Sequence, residues 1–133
     1  MYKITADLAV HGLGETVHPL PWTDRKIGTL NDWKIYDVRF LSDLGEENPD
    51  AIYALTINDI HDGICDYNDG QKTVICCGAG QSRSCAIAVG VLMQMNGMNY
   101  YDAVELVKRK VPIANIDPSH LAAIRRLFHV GPP

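Results

Sequence analysis

The sequence has no apolar run approaching the ~18 residues that a bilayer-spanning helix needs. Its richest apolar region is interrupted by Gly90 and closed by Gln94, so no membrane helix is expected. No basic segment followed by an apolar block opens the sequence, so no secretory signal is visible and a cytoplasmic setting is expected. Four cysteines, at 65, 76, 77 and 85, form no C-x2-C pair with histidine partners, which argues against a structural zinc site. No metal or other cofactor is expected. Repeats, low-complexity tracts and Pro/Gly/Ser linkers are also missing, so residues 1–133 are expected to form a single domain. An excess of positive charge is lacking as well: the net charge is -4, which makes nucleic acid a poor candidate partner.

What the chain does have is enough apolar residues for one core. At 133 residues and 47% hydrophobic content it can bury roughly two-thirds of the surface that its unfolded form exposes, without disulfides or metal. Charge is unevenly divided: residues 1–72 carry 13 acids against 6 bases, and residues 73–133 carry 3 against 6. The C-terminal half is the positive one, and the charge balance leaves a small anionic ligand open.

Three short segments rich in Ile, Val, Tyr or Phe and bounded by turn formers predict strands: 33–41, 51–57 and 73–76. A further strand is expected within 3–10, and His18-Pro19-Leu20-Pro21 predicts an extended loop. Residues 84–96 are apolar nearly all round and are followed by Gly97, the pattern of a buried helix with a C-terminal cap. Asn99 predicts the cap of a second helix that Pro112 stops, and Asp117-Pro118 predicts the start of a third. Strands before a helical half predict an α/β fold, a small and mostly parallel sheet flanked by helices.

The chemistry concentrates at the turn from the last strand into the buried helix, Cys76-Cys77-Gly78-Ala79-Gly80-Gln81-Ser82-Arg83-Ser84. Small residues there let backbone N–H groups converge on a tetrahedral oxyanion, and the helix N-terminus adds its dipole. Arg83 brings a planar fork matched to two phosphate oxygens. A cysteine seated beneath such a loop meets donors and positive charge that favour the thiolate nucleophile.

These residues resemble the signature of cysteine-dependent C-x5-R phosphatases, and most closely that of the dual-specificity protein phosphatases, H-C-x-x-G-x-x-R-S. Cys77 to Ser84 match it, and Gly97-Met98-Asn99-Tyr100-Tyr101-Asp102-Ala103 resembles the segment that follows the central helix in that family. The resemblance implies a metal-independent phosphatase acting on phosphotyrosine, with phosphoserine and phosphothreonine as further substrates, in phosphoproteins or phosphopeptides. Cys77 would be the nucleophile, Arg83 the phosphoryl ligand together with Gly78, Ala79, Gly80, Gln81 and Ser82, and Ser84 the hydroxyl that helps sulfur leave. The family's general acid is an Asp on the loop after the strand that precedes the signature. With 51–57 read as that strand, Asp59 takes the role and Asp62 competes for it. The same reading trims the helix that normally lies between acid and signature to a turn around residues 66–70.

Cys76 stands where the family usually has His. Cys65 is either an inert thiol or a trap for an oxidised Cys77. The uncharged loop fits a single phosphate on protein better than a multiply phosphorylated small molecule. Alternatives to a phosphatase are a phosphate-binding pseudophosphatase and another C-x5-R enzyme, such as an arsenate reductase or a rhodanese-like protein.

Overall fold

The computed structural model describes residues 1–15, 20–66 and 70–131. Parts of the expected 18–21 loop and of the 66–70 turn lie outside them. Five strands form one sheet: β1 (Tyr2–Lys3), β2 (Leu8–Gly12), β3 (Lys26–Leu30), β4 (Trp33–Asp37) and β5 (Thr73–Cys77). Their order is β1-β2-β5-β4-β3. The three central strands run parallel, with β5 hydrogen-bonded to β2 on one side and β4 on the other. The two edge strands are antiparallel to their neighbours. Four helices follow or interleave: α1 (Asp50–Ile64), α2 (Arg83–Asn96), α3 (Tyr100–Lys110) and α4 (Pro118–Leu127).

Alternation along β5 explains the two layers of core. Ile75 and Cys77 face a large cluster shared with Leu8, Val10, Tyr36 and residues of all four helices. Val74 and Cys76 face the other way, into a small cluster with Ala9 and Trp33 that contains no helical residue. The caps follow the sequence. Asn99 accepts a hydrogen bond from the Asp102 N–H at 2.9 Å, and Asp117 accepts one from the Ser119 N–H at 2.8 Å. Gly97 ends α2 in the left-handed region with φ +64.

Two strand expectations need correction: the strand expected over 33–41 ends at Asp37, and the one over 51–57 is absent. Residues 51–57 are not a strand but lie within the 15-residue helix α1. The β-branched and aromatic content suggests a strand, yet the buried positions Tyr53, Thr56, Ile57 and Ile60 recur at three- and four-residue intervals, the helical period. Acidic Asp50 in the first turn suits the dipole there. The helix before the signature is therefore present rather than trimmed, and the strand that precedes β5 in the chain is β4.

Beyond β4 the backbone is braced by a buried ion pair. Asp37, 1% exposed, receives the Arg39 guanidinium at 2.9 and 3.1 Å and the Arg39 N–H at 3.0 Å. Arg39→Ala would strand that carboxylate without its partner, and a loss of about 3 kcal/mol in unfolding free energy is expected by denaturant titration.

Candidate active site

The turn after β5 is built so that its carbonyls point outward. The Leu13 and Gly14 N–H groups donate to the carbonyls of Cys77 and Gly78, both at 2.8 Å, continuing the register of β2 beside the loop. The Asn115 N–H donates to the Gln81 carbonyl at 2.9 Å, and the Asp117 N–H to Ser82 Oγ at 2.9 Å. With these carbonyls committed, the loop's own N–H groups are left for an anion. Gly80 cannot be replaced cheaply: its φ is +71, and a Cβ would fall 2.9 Å from the Gly12 nitrogen.

Within this cradle the structure brings together Cys77, Ser84 and Arg83. Cys77 is 2% exposed and its Sγ lies 3.2 Å from Ser84 Oγ, itself fully buried. Arg83 is 6% exposed and opens α2. Its Nη1 donates to the Leu41 carbonyl at 3.1 Å, its Nε lies 2.8 Å from Asp43, and its Nη2 lies 3.0 Å from Glu15. Gly78, Ala79, Gly80, Gln81 and Ser82 form the loop between them.

Cys76 is adjacent in sequence but opposite in space. Its side chain lies in the Ala9–Trp33–Val74 cluster, and burial, with Asp37 and Cys77 adding to it, pushes its thiol up to about 12. Burial likewise raises Cys85 to about 12. Cys65 is exposed at the end of α1, 3.8 Å from His61 Nε2.

Asp59 does not join the site. It sits late in α1, where it pairs with Arg25 Nε at 2.7 Å, Lys26 Nζ at 3.5 Å and the Tyr36 hydroxyl at 2.8 Å. Burial raises its pKa, but the hydrogen bonds from Arg25 and Tyr36 outweigh this and hold the carboxyl below its usual range. The cavity of about 260 Å³ that it lines reaches Thr73, the first residue of β5, whereas Cys77 is the last. Asp62 is 80% exposed beside His61. The carboxylates that do reach Arg83 are Glu15 and Asp43, the latter on the loop that follows β4 and 71% exposed; the sequence reading names neither.

The Asp43 loop is fastened from behind. The Gly45 N–H donates to Ser119 Oγ at 2.7 Å, the Ser42 N–H donates to Asn48 Oδ1 at 2.9 Å, and Asn48 Nδ2 donates to the Tyr53 hydroxyl at 3.1 Å. Tyr53 in turn lies 2.8 Å from Nδ1 of His120, which is fully buried and whose Nε2 has no partner among the described residues. Burial lowers the His120 pKa below 6.5 in spite of Asp117 and the Asp43 carbonyl. The folded protein therefore keeps His120 neutral while the unfolded chain protonates it, so its contribution is whole above pH 6.5 and is lost as pH falls below that value. Denaturant titrations at pH 7.5, 6.5 and 5.5 should show stability falling towards acid, with a His120 share of the slope no steeper than the one-proton limit of about 1.4 kcal/mol per pH unit, and His120→Phe should flatten it.

Among the described residues no group of three or more His, Cys, Asp or Glu could hold a metal ion, and no helix is long and apolar enough to cross a membrane. No protein-family model and no curated protein matches the chain. Solved structures do. The human tyrosine phosphatase-like serine/threonine/tyrosine-interacting protein aligns at 25% identity with a TM-score of 0.57, over 67% of this chain and 57% of that one. Human DUSP28 aligns at 15% identity with a TM-score of 0.71, over 95% of this chain and 94% of that one. Tk-PTP, in a structure of its active form, aligns at 23% identity with a TM-score of 0.55, over 62% and 54%. The chain thus spans little more than half the length of two of these proteins and nearly all of the third. A mixed five-stranded sheet, helices on one of its faces and a glycine-rich turn into the buried helix make up the dual-specificity-phosphatase fold, which this chain carries in compact form.

Proposed function

We propose that the chain is a metal-independent phosphatase that hydrolyses phosphotyrosine, and secondarily phosphoserine and phosphothreonine, in proteins or peptides. The observation that carries this reading is the cradle itself: Cys77 Sγ, Ser84 Oγ and the Arg83 guanidinium share one site, with a carboxylate on the guanidinium where a phosphate would bind. In the proposed reaction the phosphate dianion takes the loop N–H groups and the Arg83 fork. The phosphate takes the Arg83 Nε–H from Asp43, and the freed carboxyl, 71% exposed, enters the step protonated from solvent. Cys77 Sγ attacks phosphorus in line, so an S–P bond forms as the P–O ester bond breaks, and the leaving oxygen takes that proton from Asp43. Water then attacks the phosphocysteine, giving its proton to Asp43, and sulfur leaves as thiolate towards Ser84 Oγ. Transfer of a single phosphoryl group needs no redox partner and no metal in this scheme.

The full-length protein should hydrolyse a generic aryl phosphate in the presence of a chelator and be blocked by vanadate. Absence of turnover together with retained phosphate binding would favour the second reading, a phosphate-binding pseudophosphatase, to which the Glu15 carboxylate in the cradle lends support.

A further inference from the structure

Arg83 is a buried guanidinium with two carboxylate counterions, and their attachments differ. Asp43 lies on Nε, while both Glu15 oxygens lie near Nη2, at 3.0 and 3.3 Å. The Glu15 carboxylate also covers Gly78, so that a Cβ added there would overlap it. This placement is set by the backbone. The Leu13 and Gly14 N–H groups are bonded to the loop carbonyls, and the Gly14 carbonyl accepts from Arg39 Nη1 at 2.9 Å. Glu15 therefore begins from a fixed point beside the anion position, with a side chain still 63% exposed.

A phosphate dianion seated over Gly78 must displace this carboxylate, and the tether at Gly14 keeps the displaced charge at the rim. There it is repelled by the dianion unless it finds a cation, and Arg83 is by then engaged. A substrate that brings its own cation next to the phosphate supplies the missing partner, whereas an acidic neighbour adds repulsion. We propose that Glu15 is a specificity-determining residue that selects phosphopeptides with Lys or Arg adjoining the phosphorylated residue. This deepens the functional reading given above and rests on its phosphate binding, though not on turnover.

The test is therefore a binding measurement. In full-length Cys77→Ser protein, two phosphotyrosine peptides that differ only in Lys or Glu on both sides of the phosphotyrosine are titrated by fluorescence anisotropy, and inorganic phosphate by calorimetry. The Lys-flanked peptide should bind about 5- to 10-fold more tightly than the Glu-flanked one, the scale of exchanging one attractive for one repulsive contact at a half-exposed carboxylate. Adding Glu15→Gln should reduce that ratio to about 2 or less and tighten inorganic phosphate, while Glu15→Lys should reverse the order of the peptides. A ratio unchanged by Glu15→Gln overturns the proposal, as does equal affinity for both peptides before that substitution. Flank selection without turnover in the wild-type chain would defeat the hydrolase reading and leave the selection standing. Failure of phosphate and both peptides to bind would defeat both.

Discussion

Cys77→Ser is expected to lower turnover of an aryl phosphate by more than about 10⁴-fold while leaving phosphate binding intact. The substitution keeps the shape of the side chain but removes a nucleophile that can carry charge, so the S–P bond of the proposed intermediate cannot form. The cradle survives it, because Arg83 is held by Leu41, Asp43 and Glu15, and the loop by its outward carbonyl bonds, none of which uses Sγ. Cys76→Ser is the informative control. That thiol faces away from the cradle into the Trp33 cluster, so its loss should affect stability by about 1 kcal/mol and activity little. Full activity in Cys77→Ser with loss in Cys76→Ser would exchange the two assignments. Steady-state rates together with calorimetric phosphate titration measure both effects.

The helical half of the fold was legible in the sequence because its signals are local. Asn99, Asp117-Pro118 and Gly97 each act on backbone groups within a few residues, so their placement survives whatever the tertiary structure does. The segment 51–57 reads as a strand because Ile, Tyr, Leu and Thr within it suit a pleated surface. Only the wider spacing from Tyr53 to Ile60 reveals the helical stripe that packs on α2. The edge strand β3 carried little signal, since four of its five residues are exposed and a register shift interrupts its pairing with β4.

The same segment decides the candidate acid. Reading 51–57 as the strand before the signature makes Asp59 the first carboxylate after it. With β4 in that place the first exposed one is Asp43, just beyond the strand expected over 33–41. That signal was available. Glu15 is a different case. It reaches the cradle only because β2 pairs with β5 in parallel, placing Gly12 opposite Cys77, and nothing local to Glu15 announces which strand will lie beside β5.

Asp43→Asn carries the second large effect. If Asp43 protonates the leaving oxygen, the variant should slow hydrolysis of phenyl phosphate esters with poor leaving groups by about 10²- to 10⁴-fold, the usual worth of a positioned general acid. Esters whose leaving group is already stable as an anion need little proton transfer in the transition state, so they should lose far less. The deficit should therefore grow with leaving-group pKa across a series. Location favours Asp43: it lies 2.8 Å from Nε of the guanidinium that would grip the phosphate, so a phosphate that takes this N–H frees the carboxyl beside the ester, and at 71% exposed it is open to a departing oxygen. Asp59→Asn should show no such trend. Its carboxylate is engaged by Arg25, Lys26 and Tyr36, and the substitution should lower stability rather than alter the dependence on leaving group. Measured on one ester series, a steep trend for Asp59→Asn with a flat one for Asp43→Asn would return the acid to α1 and require α1 and the cradle to approach one another when substrate binds.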